Sequence, residues 1–597
     1  MTTASLCRVA RLIFVKKRQI FSIAVPLLFL PLVFRSKAAR CGYVAINMII
    51  FLITETLPMP IASFLPAIFF PILGIQDAKT VARSYMADAI LFLIGILIIA
   101  SSVERTNLHK RIALSGLRRV GHNPYRLMLC LMSLSAFLSM WFSNTAVASM
   151  MVSIGKAIAD QTTSRPGIDS RDEDNEDPLC DLVSAVDDKD RMEMEDIVNH
   201  KKAVDDDGTN DEPLPRVVIG KKSSVVGSCL ILSIAYGTSI GGSATLTGTV
   251  MPIILNAMLT DEYGTSSSVG FDTWISFAFP LQLVCLVFCY LWMCLLLWWL
   301  QKRERITVQR EESFRVNTRH TSDSLSNGYL QTYIKNEYAK LGRTKWAEYW
   351  SLFIVVSVVI LWFFADLKFI SGWLSLFKST RVSITSVTLG FAVLLFIIPL
   401  RRPSCTIPDE PKPTRTILDW TYVRHAFPWG VVLVIGGYLA LASGIKSSGL
   451  GRVLQESFDW LADVDDWVVV LVVTTVVAIS TEMISNMGVF VICFPILTVL
   501  AKETQTHPWF YLIPLVFSCN LAFMLPVATP VNMIIYSCGN VSILEMARAG
   551  VVVNIICLFF TNFFVNTYGY WIFDFKSVPL WAIEEVAMVN ITNATAV

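Results

Sequence analysis

Ala136-Phe137-Leu138-Ser139-Met140-Trp141-Phe142-Ser143-Asn144-Thr145 sets a polar triplet, Ser143-Asn144-Thr145, inside an apolar run that begins near Leu127 and resumes at Ala146. A lipid-buried segment avoids side chains that compete for backbone hydrogen bonds, so polar residues at mid-depth mark a cavity or a helix break. A second pair, Ser485-Asn486, lies in the run from Trp467 to Leu500, just after Thr481-Glu482. One membrane segment after each pair comes a helix-breaking stretch. The first is Gly241-Gly242-Ser243-Ala244-Thr245-Leu246-Thr247-Gly248-Thr249 and the second Leu525-Pro526-Val527-Ala528-Thr529-Pro530-Val531-Asn532. The same two-part device therefore occurs twice.

The surrounding composition is that of an all-α polytopic membrane protein. Of 597 residues, 54% are hydrophobic, and mean hydropathy is +0.57, above the roughly 45–50% apolar share of soluble domains. A net charge of +2 gives no reason to expect nucleic acid. The 13 cysteines include no CxxC pair, so neither a disulfide framework nor a zinc site is indicated. Residues 20–34, behind Arg8, Arg11, Lys16, Lys17 and Arg18, lack a small-residue cleavage site and read as a first membrane helix rather than a signal peptide.

A spanning helix needs about 20 apolar residues, and eleven runs qualify, two of them long enough to break midway. They are 20–34, 42–57, 59–74, 88–104, 223–259 (broken), 272–300, 347–366, 382–400, 428–446, 508–540 (broken) and 549–573. Runs 126–159 and 467–500, with polar centres, read as two re-entrant hairpins. The chain divides into 1–125 (scaffold helices and a basic helix), 126–159 (first hairpin), 160–222 (acidic loop), 223–300 (broken and following helix) and 301–346 (cytoplasmic loop). The second half follows as 347–464 (scaffold), 465–503 (second hairpin), 508–573 (broken and last helix) and 574–597 (tail).

Lys and Arg in the loops at 105–126, 301–345 and 401–424 favour a cytoplasmic N-terminus and an extracellular C-terminus, although the basic 35–40 loop then falls outside. Sequons at Asn590 and Asn593 lie on the extracellular tail, where glycosylation is expected. The acidic clusters of 160–222, Asp172-Glu173-Asp174, Asp187-Asp188 and Asp205-Asp206-Asp207, predict a solvated, disordered segment.

Broken helices expose free N–H groups at the start of one half and free carbonyls at the end of the other, partners for an anion and a small cation. Small polar residues also mediate helix packing, but duplicated halves with interrupted spans are the signature of a secondary transporter. Stretches 139–145, 241–249, 481–489 and 526–532 contain no Lys or Arg. An anionic substrate would thus rest on hydroxyls, amides, helix N-termini and bound cations. Glu55 and Glu482, each in a Thr-Glu pair, are candidates either for proton coupling or for accepting hydrogen bonds from unwound backbone.

At these residues the sequence resembles the divalent anion:sodium symporter family, the INDY-like di- and tricarboxylate and sulfate carriers of animals. The matching stretches are 108–114, 136–145, 334–342 and 523–530, and the similarity extends over nearly all of the chain outside the acidic loop. The resemblance implies an inverted repeat, a homodimer and an elevator-type movement of a hairpin-bearing transport domain. It implies sodium at Ser139, Asn144, Gly241 and Gly242 and again at Thr481, Ser485, Asn486 and Ala528. Substrate would lie among Ser143, Asn144, Thr145, Ser485, Asn486, Thr529 and Pro530. Three positions depart from the family pattern: Val250-Met251-Pro252 replaces Gly-Pro-Asn or Gly-Thr-Asn, Gly488-Val489 replaces Ala-Thr, and Pro530-Val531-Asn532 replaces Pro-Pro-Asn.

The expected function is therefore secondary transport across the plasma membrane of a small anion, coupled to sodium and with no other cofactor. Thr529, between Ala528 and Pro530 where sulfate carriers of this family tend to have Asn, favours di- or tricarboxylates such as succinate or citrate. The other readings are a sulfate carrier, a sodium-independent exchanger and a non-transporting sensor. No nucleophile-base pair, metal-ligand cluster or phosphate loop suggests an enzyme.

Overall fold

The computed structural model describes residues 17–54, 56–118, 123–163, 225–264, 267–312, 326–365, 372–377, 382–402, 415–453, 464–539, 541–579 and 581–582. Glu55, most of the acidic loop, and the sequons at Asn590 and Asn593 lie outside the described residues. The described residues are overwhelmingly helical, with one isolated bridge between Pro399 and Thr416.

Among the described residues, eight helices are long and apolar enough to cross a membrane: Lys37–Thr54, Ala78–Thr106, Val225–Gly242, Phe271–Arg303, Trp346–Phe363, Trp429–Ser448, Asn486–Glu503 and Ile543–Asn566. This is a multi-pass membrane protein. Shorter apolar helices occupy the remaining expected spans, and prolines account for several interruptions. The first span is the helix Lys17–Phe29, which contains Pro26, continued as a 3-10 turn Leu30–Phe34 with Pro31 at its start. The span expected at 59–74 divides into Met59–Ala62 and Leu65–Ile72, with Pro66 in the first turn of the second piece. Proline removes a backbone donor and is tolerated in a first turn, which makes these natural restart points.

Two patterns of burial separate lipid-facing helices from those that form the interior. Within Phe271–Glu312, Leu283, Val287, Leu291 and Leu295 are exposed along one i, i+4 stripe, while Cys285, Cys289, Met293 and Leu297 are buried on another. Both stripes are apolar, as expected for a helix between protein and lipid. Val225–Gly242 and Pro508–Cys519 instead are buried on every side, the behaviour of a helix with no solvent or lipid face.

Val225–Gly242 packs against both Pro124–Ser139 and Asn144–Thr163, and Pro508–Cys519 against both Asp466–Ser480 and Asn486–Glu503. Glycine permits the first of these contacts. A Cβ on Gly237 would press into the Met132 carbonyl, and one on Gly241 into that of Ala136. Such small-residue contacts let helix backbones approach closely in a membrane.

Residues 108–114 and 334–342 meet away from this interior. Buried Arg111 donates to Glu348 through Nε (2.6 Å) and Nη2 (3.2 Å), and through Nη1 to the Gly342 carbonyl (3.0 Å). Arg111 and Arg118 lie 5.6 and 5.3 Å from the centre of the Tyr338 ring. Burial pulls the neighbouring His109 down to about 4, so its imidazole is neutral at physiological pH. The cluster clamps three helices together with paired charge, an arrangement that is costly to break from one side only.

Candidate functional site

Each polar pair sits where one helix ends and the next begins. Pro124–Ser139 gives way to Asn144–Thr163, and Asp466–Ser480 to Asn486–Glu503. The turns are superposable in chemistry. Ser139 Oγ donates to Asn144 Oδ1, and five residues apart again Thr481 Oγ1 lies 2.7 Å from Asn486 Oδ1. Thr481 Oγ1 is also 2.9 Å from the Cys519 carbonyl, tying the second turn to the end of the buried helix Pro508–Cys519.

These hydroxyls orient the asparagines. With Oδ1 held, each Nδ2 is directed away from its hydroxyl, and neither meets an acceptor among the described residues. Two amide donors are thus available to an anion, while two amide oxygens sit among other oxygens suited to a cation. Around Asn144, a Cβ placed on Gly242 would stand 2.5 Å from Oδ1. A Cβ on Gly248 would strike the Gly242 carbonyl and come within 2.8 Å of that of Ser139. Asn144 Oδ1, paired with Ser139 Oγ, thus lies against Gly242, and the Ser139 and Gly242 carbonyls both lie against Gly248, so these four oxygens gather around the two glycines.

No group of three or more His, Cys, Asp or Glu able to hold a metal occurs among the described residues. The oxygens around the first turn are all neutral: two carbonyls, a hydroxyl and an amide oxygen.

The other residues expected at the site divide into groups. Gly241 packs against Ala136, and its carbonyl accepts the Ala244 N–H at 3.0 Å. Ser143 and Thr145 are exposed at the first tip, and Ser485 is the N-cap of Asn486–Glu503. Thr529 caps Pro530–Ser537 by accepting the Asn532 N–H at 3.2 Å, with Pro530 exposed beside it and Ala528 buried. Asn144–Thr163 packs against Pro530–Ser537, which brings the first asparagine's helix to the second broken helix. Val489, which stands where the family pattern has Thr, is buried in the core.

Glu482 has a clear structural role. Its carboxylate accepts from the N–H groups of Phe523 (2.8 Å), Met524 (3.0 Å) and Leu525 (3.2 Å) and from Asn554 Nδ2 (2.6 Å). This satisfies the backbone left bare where the helix stops at Cys519. The first half solves the same problem differently: Thr245 Oγ1 donates to the Met140 carbonyl (2.5 Å) and accepts the Gly248 N–H (3.1 Å). Asn532 was missing from the expected site. Its Nδ2 bridges the carbonyls of Ala522 (2.9 Å) and Leu525 (3.0 Å), a role that only its offset from Thr529 could have suggested.

A family model described as the sodium:sulfate symporter transmembrane region matches residues 13–575. The chain belongs to the sodium:sulfate symporter family. Among relatives within it, the rat Na(+)/citrate cotransporter is 33% identical over 575 residues, covering 93% of this chain and 95% of that protein. Human solute carrier family 13 member 2 is 34% identical, covering 94% of each. Human Na(+)/dicarboxylate cotransporter 3 is 32% identical, covering 99% of this chain and 98% of its own length. The sodium:sulfate symporter family is one of transporters, and the match spans both copies of the asparagine turn.

Proposed function

We propose that the chain carries di- and tricarboxylates such as succinate and citrate across the plasma membrane, driven by sodium. The carrying observation is the pair of asparagine turns, each with its amide oxygen drawn toward neutral oxygens and its amide nitrogen left without an acceptor. A sodium ion at the oxygen cluster would replace the hydroxyl's hydrogen as the partner of Oδ1 and fix the amide plane. The Nδ2 hydrogens then point at substrate. Cation and anion thus bind each other's site-formers, and the affinity of each rises by the same factor when the other is bound.

In this reading the two tips face each other across one pocket, which suits a substrate charged at both ends. The names of the relatives, citrate and dicarboxylate cotransporters, agree with this. In the same reading the asparagine turns are tips of re-entrant hairpins among eleven spans. The N-terminus is cytoplasmic, the extracellular tail carries glycans at Asn590 or Asn593, and the protein is a homodimer. An elevator movement is supported by the apolar seam around the first tip, where Trp141 and Phe142 face Ile96, Ile99, Val355 and Trp362. Apolar surfaces slide without breaking hydrogen bonds.

Competition decides the substrate class. In cells displaying the protein at their surface, unlabelled succinate and citrate are expected to suppress labelled succinate uptake at concentrations where sulfate does not. Stronger suppression by sulfate than by either carboxylate would refute the assignment.

A further inference from the structure

The two broken helices align at a constant offset: Gly242 with Ala522, Thr245 with Leu525, Gly248 with Ala528, Thr249 with Thr529, and Pro252 with Asn532. In the second half one residue, Asn532, supplies donors to three oxygens. Its side-chain amide bridges the Ala522 and Leu525 carbonyls, and its backbone N–H caps Thr529 Oγ1. In the first half the corresponding residue is proline, which has neither a side-chain donor nor a backbone N–H. The consequence is visible at Thr249. It is the N-cap of Val250–Tyr263, yet its side chain caps nothing, and its Oγ1 is buried without a partner. No side-chain donor reaches the Gly242 or Thr245 carbonyl among the described residues.

We propose that a small monovalent cation takes the place of the missing asparagine, held by the Gly242 and Thr245 carbonyls and Thr249 Oγ1, so that Pro252 makes the first half of this chain dependent on bound sodium for its order. The ligands are all neutral oxygens, the donor chemistry of sodium. A buried hydroxyl without a partner is costly, and an ion coordinated by its lone pair removes that cost without needing a hydrogen donor. Gly248 supports the arrangement: Ala528 at the matching place carries a Cβ, whereas a Cβ on Gly248 would collide with the Gly242 carbonyl. The Gly242 carbonyl joins this set to the cluster around Asn144, so the proposal rests on sodium coupling as read above and adds ligands peculiar to this chain.

The test uses the purified full-length protein in detergent, its melting temperature measured against sodium concentration with choline as the replacement, alongside sodium-dependent succinate uptake in cells. Pro252→Asn restores all three donors. It is expected to melt higher than the parent in choline and to gain less than half of the parent's stabilisation from sodium. Thr249→Val removes one ligand and leaves the backbone alone; its half-saturating sodium concentration is expected to rise about 5-fold. If Pro252→Asn cannot be purified, Thr249→Val decides by itself. Parental sodium dependence in Thr249→Val, or in both variants, overturns the proposal even where uptake is sodium-driven. Sodium stabilisation that shifts as described in a protein that moves no carboxylate upholds it and removes the carrier reading instead.

Discussion

Asn144→Ala and Asn486→Ala are each expected to lower succinate uptake at subsaturating concentrations by about 100-fold, close to 2.7 kcal/mol of lost binding and orientation, while leaving the protein folded and at the cell surface. Each change removes an amide donor aimed at the anion and an amide oxygen placed for the cation. It also takes the acceptor from the Ser139 hydroxyl at the first turn, whereas at the second Thr481 keeps the Cys519 carbonyl. Because the helix N-terminus keeps its backbone, melting temperature in choline should move little. The two losses should be similar in size despite the different surroundings of the turns. Asn144→Asp and Asn486→Asp make informative partners: the carboxylate keeps a cation ligand but repels the anion, so sodium should still stabilise these variants although uptake fails. Uptake within a few-fold of the parent in either alanine variant would remove that asparagine from the site.

Glu482→Leu is expected to produce the largest loss of stability. Its carboxylate is the acceptor for the Phe523, Met524 and Leu525 N–H groups and for Asn554, and it is only 5% exposed. Leaving several buried donors unpaired costs about 1–3 kcal/mol each, which amounts to unfolding of the second broken helix rather than a change in its affinity. Glu482→Gln keeps one acceptor oxygen but turns an NH2 group toward other donors, so it should also melt lower than the parent, by a smaller amount. If Glu482 were a proton carrier instead, Glu482→Gln would melt normally and change only how uptake responds to pH. Thermal melting of the two variants side by side separates these outcomes.

Much of this arrangement could be read from the sequence because it depends on local patterns. An apolar run interrupted by Ser-Asn predicts a helix break, and the breaks fall at the two Ser-Asn pairs: one helix ends at Ser139 and the next starts at Asn144, and again one ends at Ser480 and the next starts at Asn486. The long runs 223–259 and 508–540 were expected to break in the middle and do so, between Gly242 and Val250 and between Cys519 and Pro530. What stayed hidden depends on contacts between distant segments. Glu482 is separated by some forty residues from the backbone it satisfies, and neither role suggested by its sequence context excluded the other. Val489, about one helical turn past Asn486, is buried in the core, which the Gly488-Val489 departure alone did not indicate. Asn532 and Pro252 acquire meaning only when the two halves are laid over one another and the orphaned Thr249 hydroxyl is found. Gly241 and Gly242, adjacent in sequence, face different neighbours: one packs a helix, and the other opens onto Asn144.

Reconstitution of the purified chain into liposomes, with radiolabelled succinate outside and either sodium or choline as the external cation, tests the central claim without help from any other protein. An inward sodium gradient should drive succinate to an internal concentration above the external one, and collapsing that gradient should let it run out again. Uptake that is equal in choline, or that never exceeds equilibration, would contradict sodium-coupled carriage through the paired asparagine turns.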